Sequence, residues 1–342
     1  MSSSTLSPSV SLTRADCAAR GGWLFAGILA AVAVGACFMS GWAPLGFSII
    51  AVFLFAGPHN WMEARYFMSR MPARWGKLWV YYASGIAGVV TLAAVSLLMP
   101  VVGRTWNWQS DDWLTGVALW NSLLIGWVLT MVYLRQRETG RRRWHWVMPA
   151  GLALLAANWL WPLSWSLGLV YAHPLVALWF FDRELSRRRP GWHRAYRCAL
   201  ALVPLLLIVL WWRLADSADL PGEDLLTFQI TEHAGASILT GVSTRLLVAS
   251  HVFLETLHYA VWIVAIPLIT YRTTPWNLQK VPLAARSRAW KIALAAVLGM
   301  GAAVILTLWA GFLADYPLTR DVYFSVAIVH VLAEVPFLLR LL

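Results

Sequence analysis

Cysteine and charge are both scarce in this chain. Among 342 residues there are three cysteines, Cys17, Cys37 and Cys198, in no CxxC or zinc-ligand spacing. Their number and positions argue against a disulfide framework, and none lies near the residues singled out below, which argues against iron–sulfur and blue-copper centres. Charged residues make up 13% of the chain, against about 25% in an ordinary soluble domain. Acidic residues are the scarcer sign, 16 against 27 basic ones. There is no fixed-period internal repeat and no second soluble domain. The net charge of +11 is divided among short loops, so it does not form the continuous basic surface that a nucleic-acid partner requires.

What the chain has in abundance is apolar surface. Apolar residues are 60% of the total, and there are 23 tryptophans. Many of these sit beside loops, including Trp23, Trp42, Trp75, Trp106, Trp144, Trp192 and Trp276, as amphipathic rings at a headgroup layer do. Apolar stretches recur from end to end, and the hydrophobic lengths predict ten transmembrane helices: 22–40, 44–66, 78–102, 113–134, 146–161, 163–181, 196–215, 246–270, 290–313 and 322–342. The fifth is short, and Trp161-Pro162 marks a tight turn into the sixth. The expected fold is an all-α polytopic bundle, because hydrocarbon cannot solvate an open backbone. Residues 1–21 are expected to form a disordered cytoplasmic tail, and 22–342 the membrane domain.

The basic residues set the orientation. The loop from Arg65 to Lys77 holds four Lys/Arg, Arg135 to Arg143 five, Arg183 to Arg197 six and Arg272 to Lys291 five. The alternate loops hold few, so with ten spans every strongly basic loop falls on one side. By the positive-inside rule both termini are then cytoplasmic. The expected location is a bacterial inner membrane. A short amphipathic helix is expected over 234–247, on the outer surface.

Ionisable residues inside the predicted spans are few and patterned. The second span reads Gly57-Pro58-His59-Asn60-Trp61-Met62-Glu63, and the sixth carries His173-Pro174. The eighth carries His251, Glu255 and His258, and the tenth His330 and Glu334. Three of the four helices therefore contain His-x-x-x-Glu, whose members share one helical face. Glu255 and His258 also form the Glu-x-x-His pair that carboxylate-bridged di-iron bundles point inward. Counted along each helix, His59, His173, His258, His330, Glu255 and Glu334 fall near mid-membrane and are the candidate metal ligands. His251 lies further out and Glu63 near the inner edge; they are candidates for an orienting or alternative role. Glu63 has a competing reading as a solvated ion pair with Arg65.

Single features also have plainer readings. Histidines 145, 193 and 233 read as surface residues, and Asp182 and Glu184 as a solvated charge cluster among arginines. Asn121 and Asn158 read as hydrogen-bonding links between helices. The runs Arg141–Arg143 and Arg187–Arg189 read as topology anchors or anionic-lipid contacts.

The element Gly57-Pro58-His59 through Glu63 resembles a motif of the Brp/Blh family, membrane enzymes that cleave β-carotene to retinal. That family carries Gly-x-Pro-His-Gly-x-x-Asp on a membrane helix, with further intramembrane histidines as iron ligands. Here Pro58-His59 matches and Glu63 stands where the family has Asp. Asn60 replaces the second glycine, and the spacing before proline is shorter. The resemblance implies that His59 is an iron ligand and that the substrate is a carotenoid or other polyene.

Three functions follow from these residues. The first is a membrane-embedded non-haem iron oxygenase or hydroxylase, with one or two metals, acting on a lipophilic small molecule that enters from the bilayer. Zn, Mn and Cu suit the same ligands. The second is a proton- or metal-coupled transporter that uses the same His and Glu groups. The third is a haem-b electron-transfer subunit with paired axial histidines.

Overall fold

A peptide group in hydrocarbon has no water to bond, so each apolar stretch must pair its own backbone. In the computed structural model, which describes residues 14–341 apart from 73, 140–144, 223, 271–277, 279 and 280, those stretches are helices, and there is no strand among the described residues. The order is α1 (Arg14–Trp42), α2 (Pro44–Arg70), α3 (Trp79–Thr105), α4 (Ser110–Thr139), α5 (Val147–Leu160), α6 (Pro162–Arg188), α7 (Pro190–Leu200), α8 (Leu202–Leu214), α9 (Leu225–His233), α10 (Thr244–Ala260), α11 (Ile266–Thr270), α12 (Arg288–Ala314) and α13 (Tyr316–Leu341). A π-helical turn, Val261–Ala265, joins α10 to α11 as one rod. The chain is an all-α polytopic bundle with nine apolar helices long enough to cross a membrane among the described residues.

Prolines punctuate the chain. Pro44, Pro162 and Pro190 open α2, α6 and α7, where a missing N–H costs nothing. The fifth expected span, α5, has 14 residues and so reaches about 21 Å, short of the roughly 30 Å hydrocarbon layer. It runs antiparallel to α4, with Gly151 against Leu129 and Asn158 Nδ2 donating to the Ala118 carbonyl at 2.8 Å. Asn121 Nδ2 donates to the Pro162 carbonyl at 3.3 Å. Both asparagines link helices, as expected.

Several boundaries differ from the sequence reading. Helix α1 begins at Arg14, eight residues before the expected start, so the last eight residues of the tail expected over 1–21 are helical; residues 1–13 lie outside the described residues, as do Trp144, Trp276 and Arg141–Arg143. The surface helix expected over 234–247 does not form. Residues 234–243 are turns, with Gly235 at φ +100, and Tyr171 Oη pins them by donating to the Ala234 carbonyl at 3.0 Å. The helix in this connection lies earlier, at α9, where Asp224 caps by accepting from the Thr227 N–H at 2.8 Å.

The helix that carries His251, Glu255 and His258 is the centre of the bundle. In the most apolar window of Thr244–Thr270, 61% of residues are buried, against 6% in Arg288–Ala314. Helix α10 packs on α1, α2, α6, α8 and α9, whereas α12 rests on α2 and α13. The largest core cluster surrounds α10 and its extension, with Phe180, Phe181, Leu185, Phe253 and Trp262. Tryptophan has two roles here. Trp42 and Trp106 are exposed at helix ends, but Trp61, Trp120, Trp127 and Trp309 donate to carbonyls of neighbouring helices at 2.8–3.1 Å. Gly88 permits one of these contacts, since a Cβ there would lie 1.8 Å from Trp127 Nε1.

Candidate metal centre

Four helices deliver the site, and each is irregular beside its polar residue. Pro58 precedes His59 on α2, Pro174 follows His173 on α6, Pro336 lies two residues past Glu334 on α13, and the π turn starts three residues after His258. Proline removes a helical hydrogen bond, and π turns gather at functional sites. Beside the α13 proline, Tyr81 Oη donates to the Pro336 carbonyl at 2.5 Å.

His59, Glu63, His258 and His330 converge, with one ligand atom from each within 4.8 Å of all the others. Ligands at about 2.1 Å from one ion stand up to about 4.2 Å apart, so small side-chain movements would close the set. His59 Nδ1 donates to the Phe55 carbonyl at 3.0 Å, which fixes its tautomer and leaves Nε2 as a lone-pair donor. Both ring nitrogens of His258 and both carboxylate oxygens of Glu63 lack a hydrogen-bond partner, as do His330 Nδ1 and Glu334 Oε1. Such orphaned buried groups are costly, and a cation shared among them would remove the cost. The donor set, three imidazoles and a carboxylate, fits Fe, Zn, Mn or Cu.

His173 and Glu334 flank the group. His173 Nε2 lies 3.3 Å from His330 Nε2, and its Nδ1 lies 3.5 Å from Glu334 Oε2. A carboxylate behind an imidazole is how metal sites orient and strengthen their ligands. The four rings form a closed cycle of contacts, with centroids 4.5 Å apart for His173–His258, 5.1 Å for His59–His258 and 5.2 Å for both His59–His330 and His173–His330.

Two expected members change places. Glu63, expected near the inner edge, is 1% exposed and stands inside the group. Glu255, expected beside His258 as a Glu-x-x-His ligand pair, does not join it. Glu255 accepts from Tyr259 Oη at 2.5 Å and faces His251 Nδ1 at 3.8 Å. The reason is orientation: its carboxylate turns towards Tyr259 and His251, and since His251 and His258 are seven residues apart, about 10 Å along the helix, one stripe serves two layers. The upper layer also holds His233, whose ring lies 5.0 Å from His251 and 4.5 Å from Phe324, and buried Arg320. His233 is therefore packed between helices rather than at the surface. Asp182 and Glu184 are also buried rather than solvated; Asp182 accepts from His193 Nε2 at 2.8 Å and Arg197 Nε at 3.0 Å.

The sequence gives no role to Tyr259, whose ring lies tilted 4.5 Å from His59 and whose hydroxyl binds Glu255, or to the side chain of Asn60, whose Nδ2 donates to Tyr323 Oη at 3.4 Å. Adjacency to His258 and His59 was the available signal. By fold and site the chain is a polytopic helical membrane protein with a buried histidine–glutamate group at the meeting of α2, α6, α10 and α13. No family model, curated protein or solved structure matches this chain.

Proposed function

We propose that this chain is a membrane-embedded, metal-dependent oxygenase or hydroxylase that acts on a lipid-soluble substrate such as a carotenoid or other polyene, in a bacterial inner membrane with its basic loops inside. The observation that carries the reading is the convergence of three imidazoles and a carboxylate, with Glu63 and His258 lacking any other polar partner. Pro58-His59 with Glu63, the element that resembles the carotenoid-cleaving family, lies at its heart. Iron is the favoured metal, because several histidines with a carboxylate form the common non-haem iron donor set. When bound, it would supply the redox chemistry that activates dioxygen.

The protein's own residues do the rest. His59, His258, His330 and Glu63 would hold the ion, and His173 with Glu334 would orient the imidazoles. Surrounding apolar side chains would exclude water. Purified protein is expected to contain about one or two irons per chain with no Soret band. Metal-stripped protein that keeps full turnover of a polyene substrate would defeat the proposal.

One observation favours the transporter as a second reading. His233, His251, Glu255 and Tyr259 form a line of titratable side chains that ends against the His59 ring, as a proton path would. Flux into proteoliposomes driven by a proton or metal gradient, lost in Glu255→Gln, would favour it over the oxygenase.

A further inference from the structure

We propose that Tyr259 is a redox-active tyrosine, passing one electron to the metal centre through its ring and one proton to Glu255 through its hydroxyl. The inference rests on the oxygenase reading and adds to it a catalytic residue that is not a ligand. The Tyr259 ring lies 4.5 Å from the His59 ring and 6.0 Å from the His258 ring, so it touches one candidate ligand and borders another. Its hydroxyl donates to Glu255 Oε1 at 2.5 Å, the length of a charge-assisted O–H···O⁻ bond.

The acceptor is what suits Tyr259 to this role. Tyr81, Tyr171, Tyr196 and Tyr316 donate to the backbone carbonyls of Pro336, Ala234, Leu178 and Ile49. A carbonyl accepts a hydrogen bond without keeping the proton, whereas a carboxylate can do both. Losing an electron makes a phenol strongly acidic, so its oxidation is easy only where a placed base takes the proton. Tyr323, also buried beside the site, meets the Asn60 amide at 3.4 Å and the Ala56 carbonyl at 3.5 Å, and neither is a base. Trp262, one turn further along the rod, has an indole N–H with no hydrogen-bond partner. In the proposed step the Tyr259 O–H bond breaks, the proton joins Glu255, and the electron reduces by one unit a metal that dioxygen has oxidised. The return of both restores the phenol. Ala51, Val252, Phe55 and Ile263 pack in the same cluster as Tyr259, a dry setting that shields a radical from water.

The test uses the full chain in phosphatidylcholine nanodiscs, loaded with ferrous iron, free of substrate, mixed with dioxygen and freeze-quenched for EPR. Bound iron is measured on the same samples. A tyrosyl signal should form, narrow when the chain carries ring-deuterated tyrosine, and stay unchanged with deuterated tryptophan. Tyr259→Phe should abolish the signal with iron retained. Glu255→Gln keeps an acceptor but not a base, and should slow formation of the radical about 100-fold or more; Glu255→Asp should recover part of the rate. The two Glu255 variants decide the matter if Tyr259→Phe fails to fold. A signal that survives Tyr259→Phe, arises from tryptophan or ignores Glu255→Gln would overturn the proposal, as would oxidation of the iron with no radical. Polyene turnover by those samples would leave the oxygenase reading intact. A chain that never takes up iron would overturn both.

Discussion

The layer around His258 and the layer around Glu255 share α10 and differ in how their polar atoms are satisfied. In the Glu255 layer, Oε1 accepts from Tyr259, while Oε2 has no hydrogen-bond partner but faces His251 and lies within electrostatic range of the buried Arg320 guanidinium. Its charges are balanced by its own members. In the His258 layer, Glu63 and Glu334 are close enough to repel each other, and six nitrogen and oxygen atoms across Glu63, His258, His330 and Glu334 lack hydrogen-bond partners. A balanced layer holds helices together. An unbalanced one at the same burial would be stabilised by the cation proposed above.

The largest expected effect separates the two layers directly. His258→Ala should reduce bound metal from about one ion per chain to background, measured by elemental analysis, while His251→Ala should leave it unchanged. Equal losses from the two would erase the distinction. Next, Glu334→Gln should weaken metal affinity by about 10- to 100-fold without abolishing binding, the usual result of removing a partner behind a ligand; competition with a chromophoric chelator would read this. If Glu334→Gln abolishes binding as completely as Glu63→Gln, Glu334 is itself a ligand.

Smaller effects belong to the balanced layer. Tyr259→Phe leaves a Glu255 oxygen without its donor and should cost about 1–3 kcal/mol of stability, seen as a lower Tm in detergent, with metal content retained. Loss of metal with unchanged Tm would show that Tyr259 serves the lower layer instead. The smallest effect is a pH dependence. Burial, with His251 and Arg320 nearby, holds the His233 imidazole well below its ordinary value of 6.5. The folded chain then binds that proton less readily than the unfolded chain, so stability falls as pH drops below about 6.5. His233→Leu should flatten the fall in Tm between about pH 7 and pH 5, and an unchanged slope would assign it to another group.

The helices were readable because the rule that produces them is simple: uncharged stretches of sufficient length, broken by proline at Pro44, Pro162 and Pro190. The convergence of His59, His173, His258 and His330 was also readable, by depth along each span. Glu63 was misplaced for a physical reason. Counting stopped α2 at Tyr66, but the helix continues to Arg70, about 6 Å further, which draws Glu63 inward. Glu255 was misplaced because three-residue spacing was treated as proximity to one ion, whereas its carboxylate turns towards Tyr259. The turns over 234–243 hid behind apolar residues, since periodicity does not register Gly235 at a positive φ.

The π turn leaves a mark on the chain's numbering itself. The Ile266 N–H bonds to Val261 five residues back, so the rod carries one residue more than a regular helix of its length, and everything beyond it is rotated by about 100°. Ile266 and Ile269 meet the core only through that phase shift. Straightening the turn without removing a residue would turn the Ile266–Thr270 face outward, whereas deleting one residue between Val261 and Ala265 would restore an unbroken helix and keep that face on the core. A homologue lacking the turn would align with this chain through a single-residue gap there.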